Sequence, residues 1–222
     1  ILYGMYFGLT AIEVILLLLG GMNLFDSLIF SFGTAGTGGF ANYSASVGHF
    51  DSVYIDNVIT VFMILFGVNF NLYYFLLLKD WKAVWKNQEL KTYLLMILSA
   101  ACVITMNISH LYGNPFHAFR YAIFQVASII TTTGYATADH TLWPMFSQCV
   151  LLFLMMVGAC ASSTGGGMKV ARFMMMMKCI KREIMQMVHP KSVSIIRMNG
   201  KKVDEDVLRT LYVYLMAYIG II

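Results

Sequence analysis

The sequence predicts an all-α membrane protein in which one unit occurs twice: a membrane helix, a short helix that stops half-way, an irregular stretch and a returning helix. Three observations predict it. The 222 residues are 59% hydrophobic and 12% charged, whereas soluble domains carry about a quarter charged residues, so a bilayer is the solvent this surface needs. GTGGFANYS at 36–44 is echoed by TTTGYATAD at 131–139. A shift of 95 (132 − 37) sets Thr37 on Thr132, Gly39 on Gly134, Phe40 on Tyr135 and Ala41 on Ala136, and an internal repeat takes precedence in reading a fold. Finally, of 15 Lys and Arg, four lie in Lys79–Lys91 and ten in Lys169–Arg209, with Arg120 alone elsewhere. Basic loops stay cytoplasmic, so the two hydroxyl-rich stretches are expected to open outward.

Each element follows from local pattern. Residues 3–22 give a first span of about 20 residues, the length a helix needs to cross. Asn23 is a cap for LFDSLIFSFGTA, which is too short to span. GTGGF and a polar outer stretch run to about Ser52, and residues 53–78 are expected as a continuous return span. WKAVWKNQELK links to the second unit. There 92–110 span, Asn114-Pro115 start a short helix as cap and first-turn proline, TTTGY follows, and 143–161 return. Ser162–Gly167 (SSTGGG) interrupt the apolar pattern. A basic helix resumes from Lys169 and ends at His189-Pro190. Residues 191–206 are polar, and 207–222 begin another span. The chain starts at Ile1 and stops in an apolar run, as a piece of a longer protein would.

Non-helical backbone at membrane depth is tolerated only where protein buries it or water bathes it. Two such stretches at matching places are therefore expected to line one axis. A dehydrated monovalent cation needs oxygens in place of water, which carbonyls and threonine hydroxyls supply. Glycine allows the backbone angles that turn successive carbonyls inward. The short helix before each stretch points the negative end of its dipole at the axis. Asp139 fits an acid that concentrates cations at the mouth, or a helix cap. Cys102, Cys149, Cys160 and Cys179 lack metal spacing and read as buried small residues. His49, His110, His117 and His140 read as outer polar groups, not metal ligands. Glu13, mid-span, reads as a hydrogen-bonding partner of a short-helix end, with a proton-coupled acid as the other possibility. Met174–Met177 reads as a soft packing face, and no copper site is expected.

Thr37-Gly38-Gly39-Phe40 and Thr132-Thr133-Gly134-Tyr135 resemble the pore loops of the Trk/Ktr/HKT superfamily of potassium transport proteins. SSTGGGMKVAR resembles the intramembrane loop of the third unit in the bacterial Trk type, and HPK its basic link. The resemblance covers essentially the whole chain. It implies four helix–pore loop–helix units arranged pseudo-fourfold around an ion pathway, with 1–88 the second unit, 89–190 the third, 191–206 a cytoplasmic link and 207–222 the start of the fourth. It further implies potassium uptake across the bacterial cytoplasmic membrane. The K⁺ filter would be Gly36, Thr37, Gly38, Gly39, Thr131, Thr132, Thr133 and Gly134, and the gate Ser163, Thr164, Gly165, Gly166 and Gly167. K⁺ would be cargo, with no organic cofactor. The implied partners are a TrkA-like cytosolic ring of nucleotide-binding regulatory domains, a second copy in a membrane homodimer, and the bilayer, with no nucleic acid. Potassium channels carry TVGYG; Ala41 and Ala136 replace its second glycine here, so weaker K⁺/Na⁺ discrimination is expected. Two units cannot surround an ion, so this chain alone is not expected to conduct.

Two other classes compete. A membrane enzyme could use SSTGGGMK as a phosphate cradle, but the spacing G-x-x-x-x-G-K-[ST] and an acid pair for Mg²⁺ are absent. A non-transporting scaffold or receptor subunit accounts for the spans and leaves the matched stretches unexplained. The basic surface from Lys169 to Arg209 suits anionic lipid and a cytosolic partner equally.

Overall fold

The computed structural model describes residues 2–189 and 195–221. Pro190 and 191–194, expected in the helix end and the polar link, lie outside the described residues. Among the described residues ten α-helices run in the order α1 (Leu2–Leu19), α2 (Leu24–Ala35), α3 (Val53–Phe66), α4 (Phe70–Leu77), α5 (Trp81–Lys86), α6 (Gln88–Tyr112), α7 (Pro115–Ile130), α8 (Met145–Val157), α9 (Val170–Val188) and α10 (Glu205–Ile221). A two-stranded antiparallel ribbon, β1 (Arg197–Met198) with β2 (Lys201–Lys202), precedes α10. The first unit is α1–α4 and the second α6–α9, joined by α5.

Both expected caps form. Asn23 accepts from the Asp26 N–H at 2.8 Å, and Asn114 accepts from the Phe116 N–H at 3.0 Å, with Pro115 as the first helical residue. These side chains satisfy N–H groups that a helix start leaves orphaned. α1 and α6 are long and apolar enough to cross a membrane. Their outer faces stay apolar and exposed, with Tyr3, Phe7, Leu19 and Met106 among them, as lipid contact requires.

The return spans differ from expectation. Residues 53–78 do not form one helix: α3 and α4 meet at a bend of 91°. Gly67 closes α3, and the Asn69 side chain accepts from the Asn71 N–H at 2.9 Å, starting a new helix as a cap does. In the second unit α8 ends at Val157, so the interruption begins at Gly158, ahead of Ser162. At 14 and 13 residues, α3 and α8 are each about 20 Å long, short of the roughly 30 Å hydrocarbon core. Both units therefore break their return helix at a glycine. The first resumes after three residues, 67–69, and the second after twelve, 158–169. The two breaks touch: the Cys160 N–H donates to Gly67 O at 3.0 Å and the Phe70 N–H to Ser162 O at 3.1 Å. Each bond satisfies a backbone group that the break set free.

Packing follows stripes at i, i+4. Ala118, Ala122, Val126 and Ile130 of α7 are fully buried in one cluster with Tyr93, Ile97, Ile104 and Ile108 of α6. The small side chains of α7 let its backbone come close, as membrane helix contacts favour. A second cluster joins the units: Leu17, Phe30, Ile59 and Met63 of the first enclose Phe124, Ala127 and Tyr135 of the second. One ion pair spans the same boundary, Arg120 Nε to Asp56 Oδ2 at 3.6 Å, both side chains nearly buried. Glu13 is fully buried on α1 and faces the end of the short helix α2 as expected, at Thr34, whose hydroxyl donates to Phe30 O at 2.8 Å.

Candidate functional site

The short helices α2 and α7 end in the same way. The Gly36 N–H donates to Phe32 O, as the Thr131 N–H does to Ala127 O; the Thr37 N–H donates to Thr34 O, as the Thr132 N–H does to Ile129 O. Then the Gly38 N–H reaches back to Gly33 O at 2.8 Å and the Thr133 N–H to Ser128 O at 2.9 Å. Every donor and acceptor is displaced by 95 positions (131 − 36; 128 − 33). The turn needs a left-handed residue after each helix, and Thr37 (φ 49°) and Thr132 (φ 58°) supply it. This conformation is strained for a β-branched residue, so the surrounding bonds hold both threonines there. Gly39 and Gly134 follow, also at positive φ (64° and 88°).

The two turns face one another. A Cβ built on Gly39 would drive into the carbonyl oxygen of Thr133, so the strands 37–39 and 132–134 run within contact of each other. Tyr135 locks the register: fully buried, it shares its hydroxyl proton between Phe30 O (3.0 Å) and Phe40 O (3.2 Å) of the first unit. Its ring lies 5.4 Å from that of Phe30. Ser128 Oγ donates to Tyr135 O at 2.6 Å and ties the strand back to α7.

The predicted site residues separate by role. Thr131 is buried and donates to Ala127 O at 2.6 Å; having one proton, it accepts from Thr133 Oγ at 2.8 Å. Those two hydroxyls are used up among themselves and α7. Gly36 closes α2, and Gly38 faces the Phe40 ring. Thr37 and Thr132 turn their hydroxyls the other way, onto the broken segment of the second unit. Thr37 Oγ shares its proton between Gly36 O (2.8 Å) and Thr164 O (3.1 Å). Thr132 Oγ donates to Thr131 O at 2.6 Å and accepts from the Gly166 N–H at 2.6 Å. The segment Ser163–Gly167 thus lies directly against the helix ends. Ser163 Oγ donates to Cys160 O, Thr164 Oγ to Phe66 O at 3.3 Å, and the Lys169 ammonium to Gly165 O.

Among the described residues no cluster of His, Cys, Asp or Glu has metal-holding geometry. A cation at this place would meet hydroxyls, carbonyls and the negative ends of two helix dipoles. Asp139 serves as the expected cap: its carboxylate accepts from the Thr141 N–H (2.9 Å) and Oγ (2.6 Å). These bonds hold its pKa below the ordinary carboxylate value, so it is charged at neutral pH.

Three features escaped sequence reading: the break at Gly67, the Arg120–Asp56 pair and Glu89. Glu89 is 5% exposed in the first turn of α6, and its Oε1 accepts from the Ala161 N–H at 2.6 Å. Asn69 is the residue that signalled the break, since a capping side chain inside an apolar run marks a new helix start.

The chain is 34% identical over 222 residues to the Trk system potassium uptake protein TrkH of Vibrio parahaemolyticus, covering 98% of this chain and 46% of that protein. It is 33% identical over 220 residues to the Escherichia coli K12 protein of the same description. It is 32% identical over 202 residues to the E. coli K12 Trk system potassium uptake protein TrkG. The crystal structure of the potassium transporter TrkH from V. parahaemolyticus matches with a TM-score of 0.91 at 33% identity, over 98% of this chain and 48% of that one. The chain spans about half the length of the curated relatives it matches. The family model described as "TrkH: Cation transport protein" matches residues 1–222, and the chain belongs to that family.

Proposed function

We propose that this chain supplies two of the pore-lining units of a potassium uptake protein. The carrying observation is the pair of turns at 36–39 and 131–134, which repeat each other bond for bond and meet with Gly39 against Thr133. In this reading the backbone carbonyls from Thr37 to Gly39 and from Thr132 to Gly134 form half of a K⁺ filter, and Gly36, Thr131 and Thr133 brace it from behind. The seating of Tyr135 on α2 supports a ring: each aromatic packs on the short helix of the unit before it. Phe40, 76% exposed, would seat in the same way on a further unit. Residues 1–88 and 89–190 are then the second and third units, and 207–222 the start of the fourth.

Ser163–Gly167 is the gate of this pathway. It lies on the side of the helix ends from which Lys169 and the basic helix α9 continue, the cytoplasmic side by the distribution of positive charge. A cation leaving the threonines would meet Thr164, Gly165 and Gly166. Chemistry at phosphate is disfavoured, because Gly166 N–H and the Lys169 ammonium are spent on Thr132 and Gly165. A TrkA-like nucleotide-binding partner moving α9 would open the gate by binding the two states with different affinity. A second copy in the membrane completes the assembly. Deleting 163–167 in the full-length protein, reconstituted without its partner, is expected to raise K⁺ flux. Unchanged low flux from a correctly folded deletion protein would contradict the gate.

A further inference from the structure

We propose that Glu89 is the positioning residue that fixes the register in which Ser163–Gly167 docks, a role that rests on the gate reading above. Three chain pieces converge on this carboxylate. Oε1 accepts from the Ala161 N–H at 2.6 Å, and Oε2 faces Asn69 Nδ2 at 3.5 Å. Glu89 itself sits beside Asn87, which caps α6 by accepting from the Leu90 N–H at 2.9 Å. One side chain therefore links the start of α6, the break in the first unit and the break in the second, from positions 20 and 72 residues away.

The chemistry at this point calls for an acceptor. The Ala161 N–H belongs to irregular backbone and has no helical partner, and burying it unpaired would cost free energy. Asn69 has committed its carbonyl oxygen to the Asn71 N–H, so its amide NH₂ is what faces Glu89. A carboxylate accepts from both, and its hydrogen bonds are charge-assisted. Among the described residues no Lys, Arg or His pairs with Glu89; the ion pairs are those of Arg120 and Arg182. An acid in a first helical turn that served only the helix dipole would stay solvated, as the neighbouring Lys86 and Lys91 are exposed. Glu89 is 5% exposed instead.

The anchor divides the twelve-residue break. Up to Ser162 the backbone is held on the break of the first unit through Cys160 and Ser162, and on the start of α6 through Ala161. From Met168 it is held at the end of α8, with the Met168 and Lys169 N–H groups donating to Met156 and Val157 and the Val170 N–H to Ala159 just past that helix. Only 163–167 lie between these fixed ends, and they contact Thr37 and Thr132. Removing the Glu89 carboxylate strands the Ala161 N–H and leaves that end on the Cys160 and Ser162 bonds alone, so the segment's registration on the threonines loosens.

The test uses the full-length transporter in vesicles without its partner, as wild type, Glu89→Ala and Glu89→Gln, each with and without deletion of 163–167. Rubidium influx is normalised to folded protein. A second readout is the rate at which a thiol reagent modifies a Thr164→Cys variant in a background lacking the native cysteines. Glu89→Ala is expected to raise both influx and modification about tenfold, equivalent to ~1.4 kcal/mol. Glu89→Gln keeps the acceptor for Ala161 and should change them less. In the deletion background Glu89→Ala should add nothing to influx. Unchanged modification of Cys at 164 overturns the anchor, whatever the influx does. Raised modification with unchanged influx, in Glu89→Ala and in the deletion alike, upholds the anchor and overturns the gate reading.

Discussion

Gly39→Ser in the full-length protein is expected to cut K⁺ preference over Na⁺ by about tenfold or more, equivalent to ~1.4 kcal/mol of differential stabilisation. Two costs act together. Gly39 sits at φ 64°, where an L residue pays roughly 1–2 kcal/mol. Its new Cβ would also meet the Thr133 carbonyl oxygen, which is backbone and cannot rotate aside. The strands 37–39 and 132–134 must then separate, moving the carbonyls proposed to replace the ion's water. Gly38 is the internal control. A Cβ there meets only the edge of the Phe40 ring and no backbone atom, and Gly38 needs no positive φ, so Gly38→Ala should leave the preference within about twofold. Competition between Rb⁺ and Na⁺ uptake measures both. Equal losses for the two variants would mean that the approach of Gly39 to Thr133 does not set selectivity.

Arg120→Ala should lower the stability of the protein by about 3–5 kcal/mol, the usual cost of stranding one member of a buried ion pair. Arg120 joins α7 to Asp56 of α3 at 3.6 Å, across the boundary between the units. Its guanidinium also bonds the Tyr121 hydroxyl at 2.8 Å and lies over that ring. Without it, Asp56 keeps a carboxylate with no cation in a nearly buried position, and its Oδ1 already has no hydrogen-bond partner. Replacing both members, as Arg120→Met with Asp56→Leu, should recover most of the loss, because apolar pairs of similar volume substitute well for buried ions. Thermal unfolding of the detergent-solubilised full-length protein checks this. An Arg120→Ala melting temperature equal to wild type would show that the ion pair adds nothing to the apolar cluster and the hydrogen bonds that hold the unit boundary.

The repeat was legible because the same local rules act twice. Asn23 and Asn114 open the short helices, and the left-handed Thr37 and Thr132 close them, so sequence offset and hydrogen-bond offset coincide. The apolar runs were legible as membrane helices for the same reason: composition decides solvent. Continuity within a run was not. Residues 53–78 stay apolar through Gly67-Val68-Asn69, and hydropathy does not register that Asn69 caps a new helix or that Ser162 and Cys160 take up the freed backbone. Those partners lie roughly 90 residues away, and local pattern cannot foresee them. The hydroxyl pairings had a similar limit. Four threonines looked alike in sequence, yet Thr131 and Thr133 bond each other, while Thr37 and Thr132 reach Thr164 and Gly166. Arg120 did carry a signal, as the one basic residue outside the two clusters. Reading it required Asp56, an acid inside an apolar run. Glu89 looked like an ordinary charge in a basic link, because its burial depends on a break in another part of the chain.

Crystals of the full-length protein grown with rubidium or thallium in place of potassium would test the central claim most directly, through anomalous scattering. The account predicts an anomalous peak on the axis shared by the units, coordinated by backbone carbonyls of 37–39 and 132–134, with Ser163–Gly167 on its cytoplasmic side. An ordered filter region with no peak there, or a peak held only by residues outside these two turns, would contradict it.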